Sequence, residues 1–204
     1  GQTACLGYVH TMELMAETVE AVLKKLRIRR AVFIGHSLGG YVALALAEKN
    51  PKKVKGLCLM NSTARADDAI RVELRNRAIK AVRTNYKNLV RMSISNLFKE
   101  ANLKMYEQEI LKAKEQALLT PVQGYIAAQA GMKTRPDRTA VLIDAPFKKL
   151  FIIGKHDPVL NNKLLLKEAE ETAAEIVVFP DGHMSHIENK NELITALKQF
   201  VKSC

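Results

Sequence analysis

Apolar residues recur at three- and four-residue intervals from Met12 through Met15, Val19 and Val22 to Leu26. This spacing predicts an amphipathic helix, with Thr11 placed to cap its first turn. After the basic link Arg27 to Arg30, the run Ala31-Val32-Phe33-Ile34 is apolar at every position, as in a strand buried on both faces. A second helix pattern runs from about Ser37 to Asn50, where Pro51 stops it. Val54 to Met60 (VKGLCLM) then reads as another buried strand. Helix, strand, helix, strand with short connections is the order of a parallel sheet, so the class is α/β.

The rhythm changes between Asn61 and about Ala145, where helices follow one another with no strand. Asp67 is placed to cap a helix with Ile70, Leu74, Ala78 and Ala81 on one face. Leu89, Val90, Ile94, Leu97 and Phe98 predict a second, and Met105 to Leu118 a third. Thr120-Pro121-Val122-Gln123 has the form of a capping box with Pro at the first helical position, opening a fourth to about Met132. Strands and helices resume with Lys149 to Ile153 (KLFII), a helix over 161–172, Glu175 to Phe179 (EIVVF) and a helix over 191–202. The expected layout is a sheet core over 1–63 and 145–204, with the helical excursion 64–144 lying over one edge of the sheet as a cap.

With 204 residues, 48% hydrophobic and 26% charged, the chain has enough apolar material for a substantial core. Its three cysteines, Cys5, Cys58 and Cys204, have no metal-type spacing and argue against a disulfide framework and a structural zinc site. A reducing, cytoplasmic setting is expected. No apolar run approaches a membrane span of about 18 residues, and the first twenty residues lack the layout of a signal peptide. A formal net charge of +11 fits anionic partners in general. Eight basic residues between Arg65 and Arg91 open a nucleic-acid reading. Without interleaved aromatics, a solvated helix face explains them better.

Between the first strand and its helix stands Gly35-His36-Ser37-Leu38-Gly39-Gly40, a G-x-S-x-G elbow in a strand-to-helix context. A serine on so sharp a turn takes strained dihedrals, and Gly35 and Gly39 are expected to remove side chains that would collide with the backbone. The Leu38 N–H, at the helix N-terminus, is placed to meet an oxyanion. A serine nucleophile needs a base and the base an orienting acid. Asp157 follows KLFII in Gly154-Lys155-His156-Asp157, and His183 follows EIVVF in Gly182-His183-Met184-Ser185-His186. Taken singly, Ser37 is also an N-cap, Asp157 an Asp-Pro turn former and His183 a loop histidine. Together, in the chain order Ser37, Asp157, His183, they match the order of an α/β-hydrolase triad.

These motifs, with the stretch Gly131 to Leu142 (GMKTRPDRTAVL), make the chain resemble the α/β-hydrolase superfamily, and within it small-substrate carboxylesterases and enol-lactonase-type members. The resemblance implies hydrolysis of a small ester or lactone through an acyl-enzyme, with no metal or organic cofactor and no specific nucleic-acid or membrane partner. It implies His183 rather than His186 as base, and His36 packed behind the serine. The excursion 64–144 would set substrate choice. Non-catalytic ligand binding on the same fold, C–C hydrolysis and perhydrolysis use the same residues and stay open. One departure stands out. The family's second oxyanion donor comes from an earlier strand-end loop with a His-Gly motif, and the roughly thirty residues before the elbow hold no such motif. The sequence therefore carries the expectation of upstream strands, starting as it does at Gly1-Gln2-Thr3.

Overall fold

The computed structural model describes residues 7–204, so Cys5 and Gly1-Gln2-Thr3 lie outside the described residues. Four parallel strands, β1 (Ala31–His36), β2 (Val54–Met60), β3 (Lys148–Gly154) and β4 (Glu175–Phe179), form one sheet in sequential order. Period-two alternation divides the core. Leu57, Leu59, Phe151 and Ile153 face α1 (Met12–Lys25), α2 (Leu38–Lys49) and α7 (Asn162–Glu171). Cys58, Met60, Leu150 and Ile152 face Leu193 and Phe200 of α9 (Lys190–Ser203). Every residue of α2 from Gly40 to Ala47 is buried, as expected of a helix apolar all round.

The strand β1 departs from the both-faces-buried expectation. Among the described residues it pairs with β2 alone, and Ile34 is 43% exposed. In α1, Thr11 caps by accepting the Leu14 N–H, as its position predicted. Met12 and Ala16 turn inward, while Val22 and Leu26 are exposed.

The helical block comprises α3 (Ala69–Ser95), α4 (Glu107–Leu118), α5 (Val122–Lys133) and the short α6 (Thr139–Ile143), with a 3₁₀ turn at Glu100–Asn102. The two helices expected on either side of residue 85 form one element interrupted by non-helical dihedrals at Asn85. Asp68, not Asp67, caps it by accepting the Arg71 N–H. Asp67 is buried between Arg75 and Arg135 instead, and that ion pairing outcompetes a cap. The expected box at Thr120 does not form either. Pro121 takes the N-cap position with no side-chain cap, and the Thr120 carbonyl accepts the Tyr86 hydroxyl. Ile70 and Leu74 are exposed, while Phe98 and Ile110 pack with Met184. No helix among the described residues is long and apolar enough to cross a membrane.

Candidate active site

All four strands run in one direction, so their carboxyl ends share one edge of the sheet, where open α/β sheets place ligands. The elbow follows β1 there. Ser37 takes φ 50° and ψ −117°, left-handed territory that a non-glycine residue rarely occupies. Its backbone is fixed on both sides: its N–H donates to the Met60 carbonyl at 3.0 Å, and its own carbonyl accepts the Ser62 hydroxyl at 2.8 Å. The Ser37 side chain makes no capping bond to α2. The Leu38 N–H opens the helix, where amides have no intrahelical acceptor.

The glycines divide their work differently from the sequence expectation. A Cβ on Gly35 would lie 2.5 Å from the Gly39 carbonyl oxygen, so this position needs glycine. One on Gly39 would meet nothing within 4 Å, whereas one on Gly40 would strike the Ser62 hydroxyl at 2.2 Å. The close approach is between α2 and the end of β2, one residue beyond the motif's last glycine.

Asp157, in the loop after β3, and His183, in the loop after β4, meet at 2.7 Å between Oδ2 and Nδ1. Both side chains are almost fully buried, at 0% and 3% exposure. An ionised carboxylate can only accept, so Nδ1 donates the proton of this bond, and in the neutral imidazole that tautomer leaves Nε2 as the acceptor. The turn-forming and His-pairing readings of Asp157 are both realised, one per oxygen: Oδ1 accepts the Val159 and Leu160 N–H groups. Burial would raise the Asp157 carboxyl, yet the hydrogen bond and charge of His183, with those two amides, outweigh it and hold its pKa below the ordinary value. Ser37 and His183 line one cavity of about 790 Å³, walled also by Tyr41, Leu97, Leu164 and Met184. A second cavity of about 570 Å³, under α1 and α5, meets the elbow through Leu38 and Gly39.

His36 donates from Nε2 to the His183 carbonyl at 2.9 Å, and its ring lies 5.1 Å from that of His183. Burial, then the neighbouring His183, pushes its pKa down to about 4, so it is neutral at pH 7. His186 reaches the same cavity and stacks edge-on to His36 at 5.0 Å, while His183 holds Asp157.

Sequence reasoning missed the groups that hold this pair. Asn61, fully buried at φ 46° just past β2, donates to Asp157 Oδ2 at 3.0 Å and accepts the Ser185 hydroxyl at 2.7 Å. Its place at a strand's carboxyl end was the available signal. Glu188, in the short helix α8 (Ser185–Glu188), accepts from the Gly182 N–H, the Lys99 N–H and the Asn102 amide. The His183 N–H itself donates to the Leu97 carbonyl. The loop that carries His183 is thus tied to the helical block through Leu97, Lys99 and Asn102, while the Gly182 bond to Glu188 braces the loop itself.

Residues 2–190 match the α/β hydrolase fold family. The chain belongs to that family. Its fold superposes on a thermophilic esterase from Thermogutta terrifontis, solved with malate bound, at a TM-score of 0.93 and 28% identity. That match covers 100% of this chain and 76% of the esterase. A hydrolase from Pseudomonas aeruginosa PA01 matches at 25% identity and a TM-score of 0.89, over 98% of this chain and 75% of that one. The enol-lactonase from Burkholderia xenovorans LB400 shares the fold at 20% identity and a TM-score of 0.89, over 99% and 77%. A Mycobacterium phage D29 protein named as a non-heme haloperoxidase is 34% identical over 64 residues, 31% of this chain and 23% of that protein.

Proposed function

We propose that this chain is a serine hydrolase of small carboxylic esters or lactones. The observation that carries the reading is the buried Asp157–His183 hydrogen bond of 2.7 Å in a cavity shared with a serine held at φ 50°. Ser37 Oγ attacks the ester carbonyl carbon while His183 Nε2 takes the hydroxyl proton. The Leu38 N–H stabilises the resulting oxyanion, and losing such a donor typically costs about 10²- to 10³-fold in rate. The imidazolium, steadied by ionised Asp157, passes its proton to the leaving alkoxide. Water, deprotonated by His183, then releases the acid and returns Ser37. The block 64–144 acts as the cap, supplying Leu97, Arg71, Arg75 and Met132 to the cavity wall.

The test is turnover of short 4-nitrophenyl esters by the chain and by Ser37→Ala. Saturable turnover lost in the variant supports the reading. Turnover that persists in Ser37→Ala, or binding of these esters without turnover, overturns it, the latter in favour of a ligand receptor.

A further inference from the structure

We infer that the site takes esters or lactones that carry a free carboxylate, with Arg71 as the group that recognises it. This rests on the serine-hydrolase reading above and deepens it. Of the eight basic residues between Arg65 and Arg91, the fold turns Arg65, Arg71 and Arg75 onto the wall of the cavity that holds Ser37, and Arg135 joins them from beyond α5. Three of these four cations already have protein anions. Arg65 pairs with Glu171, while Arg75 and Arg135 share Asp67.

Arg71 differs. Among the described residues its guanidinium is bonded to a neutral group, the Val159 carbonyl, and to no carboxylate. The neighbouring Asp68 is spent on the α3 cap, accepting the Arg71 backbone N–H at 2.7 Å. Glu168, on the same wall, is satisfied by Thr63 and the Ala64 N–H. A guanidinium has five N–H donors, so most of Arg71's remain for a ligand. It is half-buried beside apolar Leu164 and Leu160, where a charge-assisted, two-pronged bond to a carboxylate is stronger than in open water. Its anchor is also catalytic ground. The Val159 carbonyl it holds belongs to the residue whose N–H bonds Asp157, so a carboxylate on Arg71 is tied to the acid loop. The net charge of +11 draws such anions toward the molecule.

The experiment compares 4-nitrophenyl hydrogen glutarate with its methyl ester, the same skeleton without the charge, following nitrophenol release. The expected result is a kcat/KM about tenfold or more in favour of the anion, in keeping with one charge-assisted hydrogen bond. The ratio should fall to about one or below in Arg71→Leu and recover in part in Arg71→Lys. A wild-type ratio of one or below, or a ratio unmoved by Arg71→Leu, overturns the inference. If neither ester is turned over, the hydrolase reading fails separately. Calorimetric binding of monomethyl glutarate then decides the subsite: binding lost in Arg71→Leu supports it, and no binding overturns it.

Discussion

Replacing Glu188 with Ala should loosen the His183 loop from the helical block and lower both stability and rate. Glu188 is 6% exposed, and its carboxylate accepts the Gly182 N–H at 3.1 Å, the Lys99 N–H at 3.0 Å and the Asn102 amide at 2.9 Å. The Asn102 side chain can turn to water. The two backbone donors cannot follow without moving the chain, and each buried donor left without a partner costs about 1–3 kcal/mol, so the expected loss is about 2–6 kcal/mol. Gly182 immediately precedes His183, and a Cβ there would lie 2.6 Å from the Lys99 nitrogen, which shows how closely the two segments are fitted. Loosening this contact displaces the imidazole, and a misplacement of about 1 Å can cost about 100-fold in rate. Urea unfolding measures the first effect, and kcat against KM on a 4-nitrophenyl ester the second. Glu188→Gln, which keeps the shape and one acceptor oxygen, should fall between. A stability loss under about 1 kcal/mol in Glu188→Ala together with an unchanged kcat would refute the reasoning.

His183→Ala should cost at least about 10³-fold in kcat and His186→Ala under about tenfold, because His183 alone of the two holds Asp157; equal losses in steady-state assays contradict this. His36 carries a pH signature, since burial lowers its folded pKa from 6.5 to about 4 and the unfolded chain therefore binds more protons between those values. Stability from this group should be full above about pH 6.5 and decline as the pH falls toward 4, by about 3 kcal/mol at most, and urea titrations of His36→Gln should show a shallower slope, with half-buried His186, lowered by the same cause, keeping the remainder. Gly40→Ala should destabilise by about 1–3 kcal/mol through overpacking against Ser62, while Gly39→Ala should leave the melting temperature within a few degrees; the opposite order in thermal melts would show the elbow packing to be misread.

Local chemistry was legible in the sequence wherever chain neighbours decide the outcome. The strand runs VKGLCLM and KLFII became β2 and β3, Thr11 capped α1, and GHSLGG fell at a strand-to-helix turn. Asp157 and His183 were readable because each follows an apolar strand run, KLFII in the buried β3 and EIVVF in the more exposed β4, and the ends of parallel strands converge. What stayed hidden depends on partners far along the chain. Asp67 and Asp68 are equivalent as N-caps locally, and Arg135, 68 residues away, draws Asp67 inward. Gly39 looks indispensable from the motif alone, yet the tight contact is that of Gly40 with Ser62, from another strand's end. Asn61 and Glu188 carry no motif. Their importance arises from acceptors and donors 96 and 89 residues away.

The central claim is that Ser37 is the nucleophile, and a fluorophosphonate tests it most directly. Intact-mass spectrometry of the treated chain should show one covalent adduct, mapping to Ser37 after proteolysis and absent from Ser37→Ala. An adduct that persists in Ser37→Ala, or that maps to another residue, would contradict the account.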